Sequence, residues 1–350
     1  MRRSARVWKS YELGIKLISN TQTNRVRTGE FTYLAASVET SLYRNGKVFT
    51  RRNSSGNDDP WIGADLEKRR MSVRDARGLA GTQRFTLDAN GFEMLERPMA
   101  DPVSDFLDHD QVVRGYYPQC TEIIREAIGA SFVAAFDHNI RSVSGSQSNR
   151  HIEGGQHVQP PLHMVHGDYT LTSAPQRLCD LTKPPTNNDT FRTMLRDGEA
   201  LLDRANVERA LSAGRFAIIN LWRNIAQEPV ASHPLALCDA ARVHPDDLVV
   251  FEIHYSDRVG ENYYAKHSDQ HQWHFFSAMT RDEALLIKQW DSAGELARSK
   301  GTKSGTMNPD AQIPDAPCTF SFHSAFDDPT TPPDAPDRWS IEVRCVALFN

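Results

Sequence analysis

The sequence contains no apolar run near the roughly 18 residues that a membrane-spanning helix needs. It has no C-x-x-C pair, and its five cysteines (Cys120, Cys179, Cys238, Cys318, Cys345) are odd in number and widely scattered. That argues against a disulfide framework or a zinc knuckle and makes free thiols in a reducing cytoplasm the expectation. An excess of positive charge is missing too: 40 Lys and Arg stand against 45 Asp and Glu, a net charge of −5. Such a chain has no global field to attract nucleic acid or an anionic membrane. The longest basic cluster, Glu67-Lys68-Arg69-Arg70, is too short to supply one. Gly-rich phosphate loops are absent, since Gly154-Gly155 and Gly78-x-x-Gly81 fit neither a dinucleotide fingerprint nor a P-loop. No G-x-S-x-G elbow supports an α/β-hydrolase. The start, Met1 to Arg6, is basic, but no apolar segment comes after it, which speaks against a secretory signal. The lack of an acid before Glu12 leaves an organellar transit peptide as a minor alternative.

What is present is an ordinary globular composition, 350 residues with 39% hydrophobic and 24% charged. A chain of this size can bury a sizeable core. By length it would make two or three average domains, or one large β-barrel with insertions. Histidine is less ordinary: there are 13, most of them between His138 and His323.

Residues 1–115 are polar and turn-rich, with a loop over residues 51–60 and a hairpin-type turn at Asp88-Ala89-Asn90-Gly91. They read as an N-terminal extension packing on the rest. A helix is expected from Pro118 to about Ala130, where Ile123, Ile124, Ala127 and Ile128 fall at helical spacing. Ser131 to Phe136 reads as a buried strand. Residues 141–161 are polar and long for a structureless stretch, as lids and binding loops often are. Leu162 to Tyr169 reads as a strand ending in a turn, with β-prone Tyr169 to Thr172 after it. A charged helical insert covers about 174–213. Further strands are expected at Arg215–Trp222, Leu248–Tyr255, Glu261–Ala265, Gln272–Phe276, Cys318–Phe322 and Arg338–Leu348. Thr280-Arg281-Asp282-Glu283 has the form of a capping box opening a helix to about Trp290, and residues 291–316 are loop-like. The sum is a mainly β chain with α decoration, an antiparallel double-sheet barrel.

Chemistry concentrates at His166-Gly167-Asp168. A histidine and a carboxylate two apart on an extended segment point the same way, and the glycine between them permits a tight approach. Such a pair supplies two ligands of a 2-His-1-carboxylate facial triad, which leaves positions open on Fe(II) for oxygen chemistry. The motif alone is weak. Chance would place roughly two His-x-acid matches in such a chain, and this one has four. The others are His151-x-Glu153, His244-x-Asp246 and His267-x-Asp269, in a polar loop, a turn and a connector. Only His166-Gly167-Asp168 comes directly after an apolar strand. The third ligand should be a lone histidine on a late strand. His323 suits it, with His254, His271 and His274 as competitors.

Arg338 and Ser340 begin the next strand on one face. An arginine can grip a carboxylate bidentately and a serine adds a hydrogen bond, which a metal-chelating 2-oxo acid needs for its far carboxylate. Arg344 lies on the same face and is either the alternative anchor or a partner for Glu342. Asn220 and Trp222 share a strand face, as do Asn262 and Tyr264. Asn220, Trp222, Tyr264 and His274 are candidate substrate contacts, with core packing the competing role for Trp222.

Several blocks in order resemble a known family. They are Asn220-Leu221-Trp222-Arg223-Asn224-Ile225, Pro234 to Ala240, Gly260 to Ala265, Met279 to Ala284, His323 to Asp328 and Ser340 to Arg344. Together they resemble the fungal CmcJ-like group of Fe(II)/2-oxoglutarate-dependent oxygenases, related to aspergillic-acid hydroxylase and a gibberellin desaturase. The resemblance covers about residue 120 to the end. It implies a double-stranded β-helix (jelly-roll, cupin-like) core, with His166, Asp168 and His323 holding iron and Arg338 with Ser340 holding 2-oxoglutarate. O2 completes the reaction, which oxidises an unactivated C–H of a small secondary metabolite or amino-acid-derived substrate by hydroxylation, desaturation or ring closure and releases succinate. The sequence departs from the family pattern at Gln270 to Phe276, where the family has an aromatic-rich run, so His271 and His274 are candidates for substrate specificity.

The expected partner is a small molecule, with no nucleic acid or membrane, and an oligomer is left open. One catalytic domain over 1–350 is expected, its β-helix core at 116–350, because ligands at 166 and 323 must meet on one metal. Two other classes remain: a cupin-like binding protein with a vestigial metal site, and a zinc hydrolase using the same triad.

Overall fold

The computed structural model describes residues 26–53, 58–79, 84–100, 103, 105–150, 152, 157–186, 189–256, 258–301 and 316–349. The basic start at residues 1–6, the His151-x-Glu153 match, part of the loop at 51–60 and most of the loop at 291–316 lie outside the described residues.

In chain order the strands are β1 (Val26–Leu34), β2 (Phe49–Arg51), β3 (Leu66–Asp75), β4 (Phe92–Glu96), β5 (Phe132–Arg141), β6 (His166–Gly167) and β7 (Phe216–Asn224). Then come β8 (Leu235–Cys238), β9 (Leu248–His254), β10 (Val259–Ala265), β11 (Trp273–Phe275), β12 (Glu283–Asp291), β13 (His323–Ala325) and β14 (Ser340–Leu348). They form two sheets. The larger runs β1-β3-β11-β8-β13-β6-β10-β9-β2 and the smaller β4-β12-β7-β14-β5. This is the double-stranded β-helix, mainly β with a few helices. The main core cluster draws on both sheets, with Val250, Tyr263 and Trp273 from the larger and Ile219, Leu286 and Val343 from the smaller.

β7 and β12 are buried along their whole length. A strand covered on both faces reads as a continuous apolar run rather than an alternating one, which suits Phe216 to Ile219 and Ala284 to Ile287. The outer side of the smaller sheet is closed by a helix, α1 (Tyr117–Ile128), which buries Tyr117, Cys120 and Ile124. It ends at Gly129, whose φ of 65° is the left-handed conformation that glycine adopts at no steric cost. Two more helices, α2 (Ser173–Asp180) and α3 (Arg204–Ser212), lie between β6 and β7.

Several sequence expectations give way. The described part of residues 1–115 is not merely packed on the barrel: β1, β2 and β3 belong to the larger sheet and β4 edges the smaller. Their pairings reach far along the chain, β3 parallel to β11 and β2 parallel to β9, and no local pattern announces them. One of the two hydrogen bonds of a capping box does form, with Thr280 donating its N–H to Glu283 Oε2 at 2.9 Å. Yet the chain leaves that turn as β12, not a helix, because Glu283–Asp291 pairs with β4 and β7. Tertiary pairing overrides the local signal. Residues 88–91 are a short helical turn before β4, not a hairpin. The run Tyr169 to Thr172 is a turn, closed where Thr170 Oγ1 accepts from the N–H of Thr172 and of Ser173. The strand expected from Cys318 starts only at His323. No helix among the described residues is long and apolar enough to cross a membrane.

Candidate active site

β6 is only two residues long, yet it sits inside the larger sheet. His166 lies directly opposite His323 of β13 on one side and Tyr264 of β10 on the other. Directly opposed residues share a sheet face, so the two imidazoles come together, with ring centroids 4.2 Å apart. Asp168 turns the same way just beyond the strand. Its Oδ1 is 3.5 Å from His166 Nε2 and 4.0 Å from His323 Nε2. One donor atom from each of the three lies within 4.8 Å of the others, and all three side chains are buried.

Gly167 explains how the pair fits. A β-carbon built there would lie 2.9 Å from two ring carbons of Phe320. Gly167→Ala is expected to cost about 1–3 kcal/mol, the usual penalty for overpacking. Thermal denaturation of the metal-free variant checks it, and an unchanged midpoint would show that Phe320 has room to yield.

The surroundings of the cluster select the state a metal needs. His166 Nδ1 is 2.8 Å from the Met164 carbonyl. A proton assigned to that nitrogen leaves the Nε2 lone pair facing Asp168. Burial holds His166 down to about 3, helped by His323, and burial likewise lowers His323, so both stay neutral. Burial alone would keep Asp168 protonated. Arg344 and the hydrogen bond from Asn220 outweigh it and hold the carboxyl below its usual range. The two oxygens of Asp168 are divided: Oδ2 accepts from Asn220 Nδ2 at 2.9 Å and Arg344 Nε at 3.1 Å, while Oδ1 faces the histidines. Its backbone is fixed as well, the N–H donating to Gln289 Oε1 and the carbonyl accepting from Asn262 Nδ2.

A narrow cavity opens beside the cluster. His166, His323, Arg141, Arg338 and Glu342 supply its polar wall, and Leu162, Trp222, Leu235 and Ala325 its apolar one. Arg338 is 2% exposed, and its guanidinium lies over the Trp222 ring, 5.8 Å from the centroid. One terminal nitrogen donates to the His233 carbonyl, but Nε has no partner. Burial, with Arg141 nearby, lowers Arg338 to about 9. An unsatisfied buried donor of this kind is costly and calls for an acceptor. Ser340 is buried one strand step away, opposite Asn224 and Arg141. Glu342 is pushed up by burial and by Asp168.

Of the residues named from sequence, His166, Asp168 and His323 meet, and Arg338 and Trp222 share their cavity. Arg344 is placed differently from Arg338: its guanidinium is committed to Asp168, to Asp137 at 3.1 Å and to Glu342 at 3.6 Å, so it braces the cluster from behind. Asn220 joins Asp168 to Glu342 instead of lining the cavity. Tyr264 stacks on Phe251 at 4.4 Å and backs His166 edge-on. His274 does not line the cavity. It is wedged between Phe85 and Phe92, and burial lowers it to about 4. His271 is held by Tyr33 and Asp247, and His254 by Glu252, so neither competes as a third ligand. His244-x-Asp246 caps a turn and His267-x-Asp269 stands 3.8 Å apart at the surface. Sequence reasoning missed Arg141, whose one signal is its position at the end of a strand.

This fold and this site define a class, a double-stranded β-helix oxidoreductase with a buried two-histidine, one-carboxylate cluster. The family model described as oxidoreductase/YMDC permease-like domain matches residues 32–348, and the chain belongs to that family. An uncharacterized protein in the dcmA 3' region of Methylophilus leisingeri is 45% identical over 197 residues, 56% of this chain and 89% of that protein. The alpha-ketoglutarate-dependent dioxygenase phiK of Fungal sp. (strain ATCC 74256) is 29% identical, covering 81% of this chain and 86% of its own. Among solved structures, the iron and alpha-ketoglutarate-dependent endoperoxidase NvfI superposes with a TM-score of 0.64 at 21% identity, over 93% of this chain and 98% of that one. That likeness carries the fold.

Proposed function

We propose that the protein is a non-haem Fe(II)/2-oxoglutarate-dependent dioxygenase that oxidises an unactivated C–H of a small secondary metabolite or amino-acid-derived substrate. One observation carries the reading: a buried His166, Asp168, His323 donor set shares a cavity with Arg338, whose Nε has no partner. The donor set is the kind that leaves positions free on a non-haem iron, and relatives named for this cofactor pair cover most of the chain.

Bound iron with 2-oxoglutarate and O2 supplies the oxidising chemistry, in which 2-oxoglutarate is decarboxylated to succinate. The protein does the rest. His166 and His323 offer neutral Nε2 atoms, and Asp168 offers the oxygen that Asn220 and Arg344 leave free. Arg338, with Ser340 beside it, receives the far carboxylate of 2-oxoglutarate. Leu162, Leu235, Ala325 and Trp222 keep water from the reacting centre. The chain acts as one catalytic domain over 1–350, and five free cysteines, three of them buried, suit a reducing compartment such as the cytoplasm.

Anaerobic addition of Fe(II) and then 2-oxoglutarate should give a weak visible charge-transfer band. Absence of the band in the native protein, or an unchanged band in His166→Ala, would overturn the assignment.

A further inference from the structure

A second group of metal-type donors stands at the lip of the cavity. His163 lies three residues before His166, Asp327 four residues after His323, and His233 in the turn that enters β8. His233 Nδ1 is 3.2 Å from Asp327 Oδ1, and His163 Nδ1 is 3.7 Å from Asp327 Oδ2. The two imidazole centroids are 5.2 Å apart. One donor atom from each residue lies within 4.8 Å of the other two. Donors around a four-coordinate ion with bonds near 2.0–2.1 Å stand about 3.4 Å apart, so small side-chain rotations close the set.

The local structure favours the neutral ligands that a metal requires. His163 Nε2 is buried and has no hydrogen-bond partner, which disfavours a doubly protonated ring. Arg338 and Lys68 are the cations that act on His163. Lys68 is itself paired with Glu30 at 2.6 Å, which blunts its repulsion of a cation. His233 adopts a φ of 44°, the left-handed region that a β-carbon disfavours. That conformation aims its ring at Asp327 and its carbonyl at Arg338. The three side chains remain partly exposed, so an ion can reach them.

We propose that His163, His233 and Asp327 bind a second divalent first-row transition ion, distinct from the buried cluster. Zinc fits best, since two nitrogens and a carboxylate with one position left for water are an ordinary zinc set. The ion ties together the segment entering β6, the segment leaving β13 and the carbonyl that holds Arg338. It is therefore a positioning site for the cavity mouth, not a catalytic one.

Tag-free, chelator-stripped protein loaded with Co2+ provides the test. Native protein should take up two equivalents, one with the intense visible bands of four-coordinate Co2+. Asp327→Asn and His233→Gln should each lose one equivalent together with those bands. His166→Ala should lose the other equivalent and keep the bands. Far-UV circular dichroism matching the native protein separates lost binding from misfolding. The proposal falls if native protein binds a single equivalent, or if the correctly folded Asp327→Asn and His233→Gln proteins keep both equivalents.

Discussion

Arg338→Ala is expected to raise the KM for 2-oxoglutarate by roughly 30-fold to several thousand-fold while Fe(II) still binds. Truncating one partner of a buried, hydrogen-bonded charge pair costs about 2–5 kcal/mol, and each 1.4 kcal/mol is about tenfold. Arg338 fits that case because it is buried and one donor is unpaired. Arg338→Lys keeps the charge but loses the planar fork, so it should recover only part of the loss. Succinate release against 2-oxoglutarate concentration, alongside iron content, measures both. Normal 2-oxoglutarate binding in Arg338→Ala would move the anchor to Arg141. Full activity without 2-oxoglutarate would favour the zinc hydrolase.

Arg344→Ala is expected to fail differently, by destabilising the fold. Its guanidinium answers Asp137, Asp168 and Glu342. Removing one partner of a buried pair leaves an uncompensated charge and costs about 3–5 kcal/mol. The melting temperature of the metal-free protein should fall by several degrees. The double variant Arg344→Met with Asp137→Asn should recover part of the fall, because one stranded carboxylate is gone. If Arg344→Ala melts like the native protein, Arg344 is not the brace the geometry makes it, and Asp168 is held ionised by something else.

The two arginines show where sequence reasoning works. Arg344 lies on β14 and Arg338 two residues before its start, and period-two alternation assigns both to one face from sequence alone. Alternation cannot tell them apart. The difference lies in what stands opposite: Arg344 faces Asn220 and Asp137, whereas Arg338 precedes the strand and meets the His233 carbonyl. The His166, Asp168 pair was legible because its geometry is local to three residues. His323 was legible as a late strand-end histidine, and its pairing with His166 is a matter of register. The cluster of His163, His233 and Asp327 left no trace, since its members come from three separate loops. β12 misled because its opening turn carries one of the two capping-box hydrogen bonds, and only pairing with β4 and β7 makes the chain beyond that turn a strand.

The position of β14 has a consequence for how the chain is made. The last strand of the described chain is an inner strand of its sheet, between β7 and β5, and it is the only strand beside β5 in that sheet. During synthesis, 157 residues separate His166 from His323, roughly 8–30 s at about 5–20 residues per second. Throughout that interval β5, with its apolar Phe132 to Phe136, has emerged without its strand neighbour. The carboxylate Asp168 likewise waits for Arg344, the cation that keeps it ionised. A nascent chain therefore carries half a metal site and an open sheet edge together. β13 brings the missing ligand His323, and β14 then covers β5 and sets Arg344 against Asp168, so competence to take up iron and freedom from aggregation arrive close together and late.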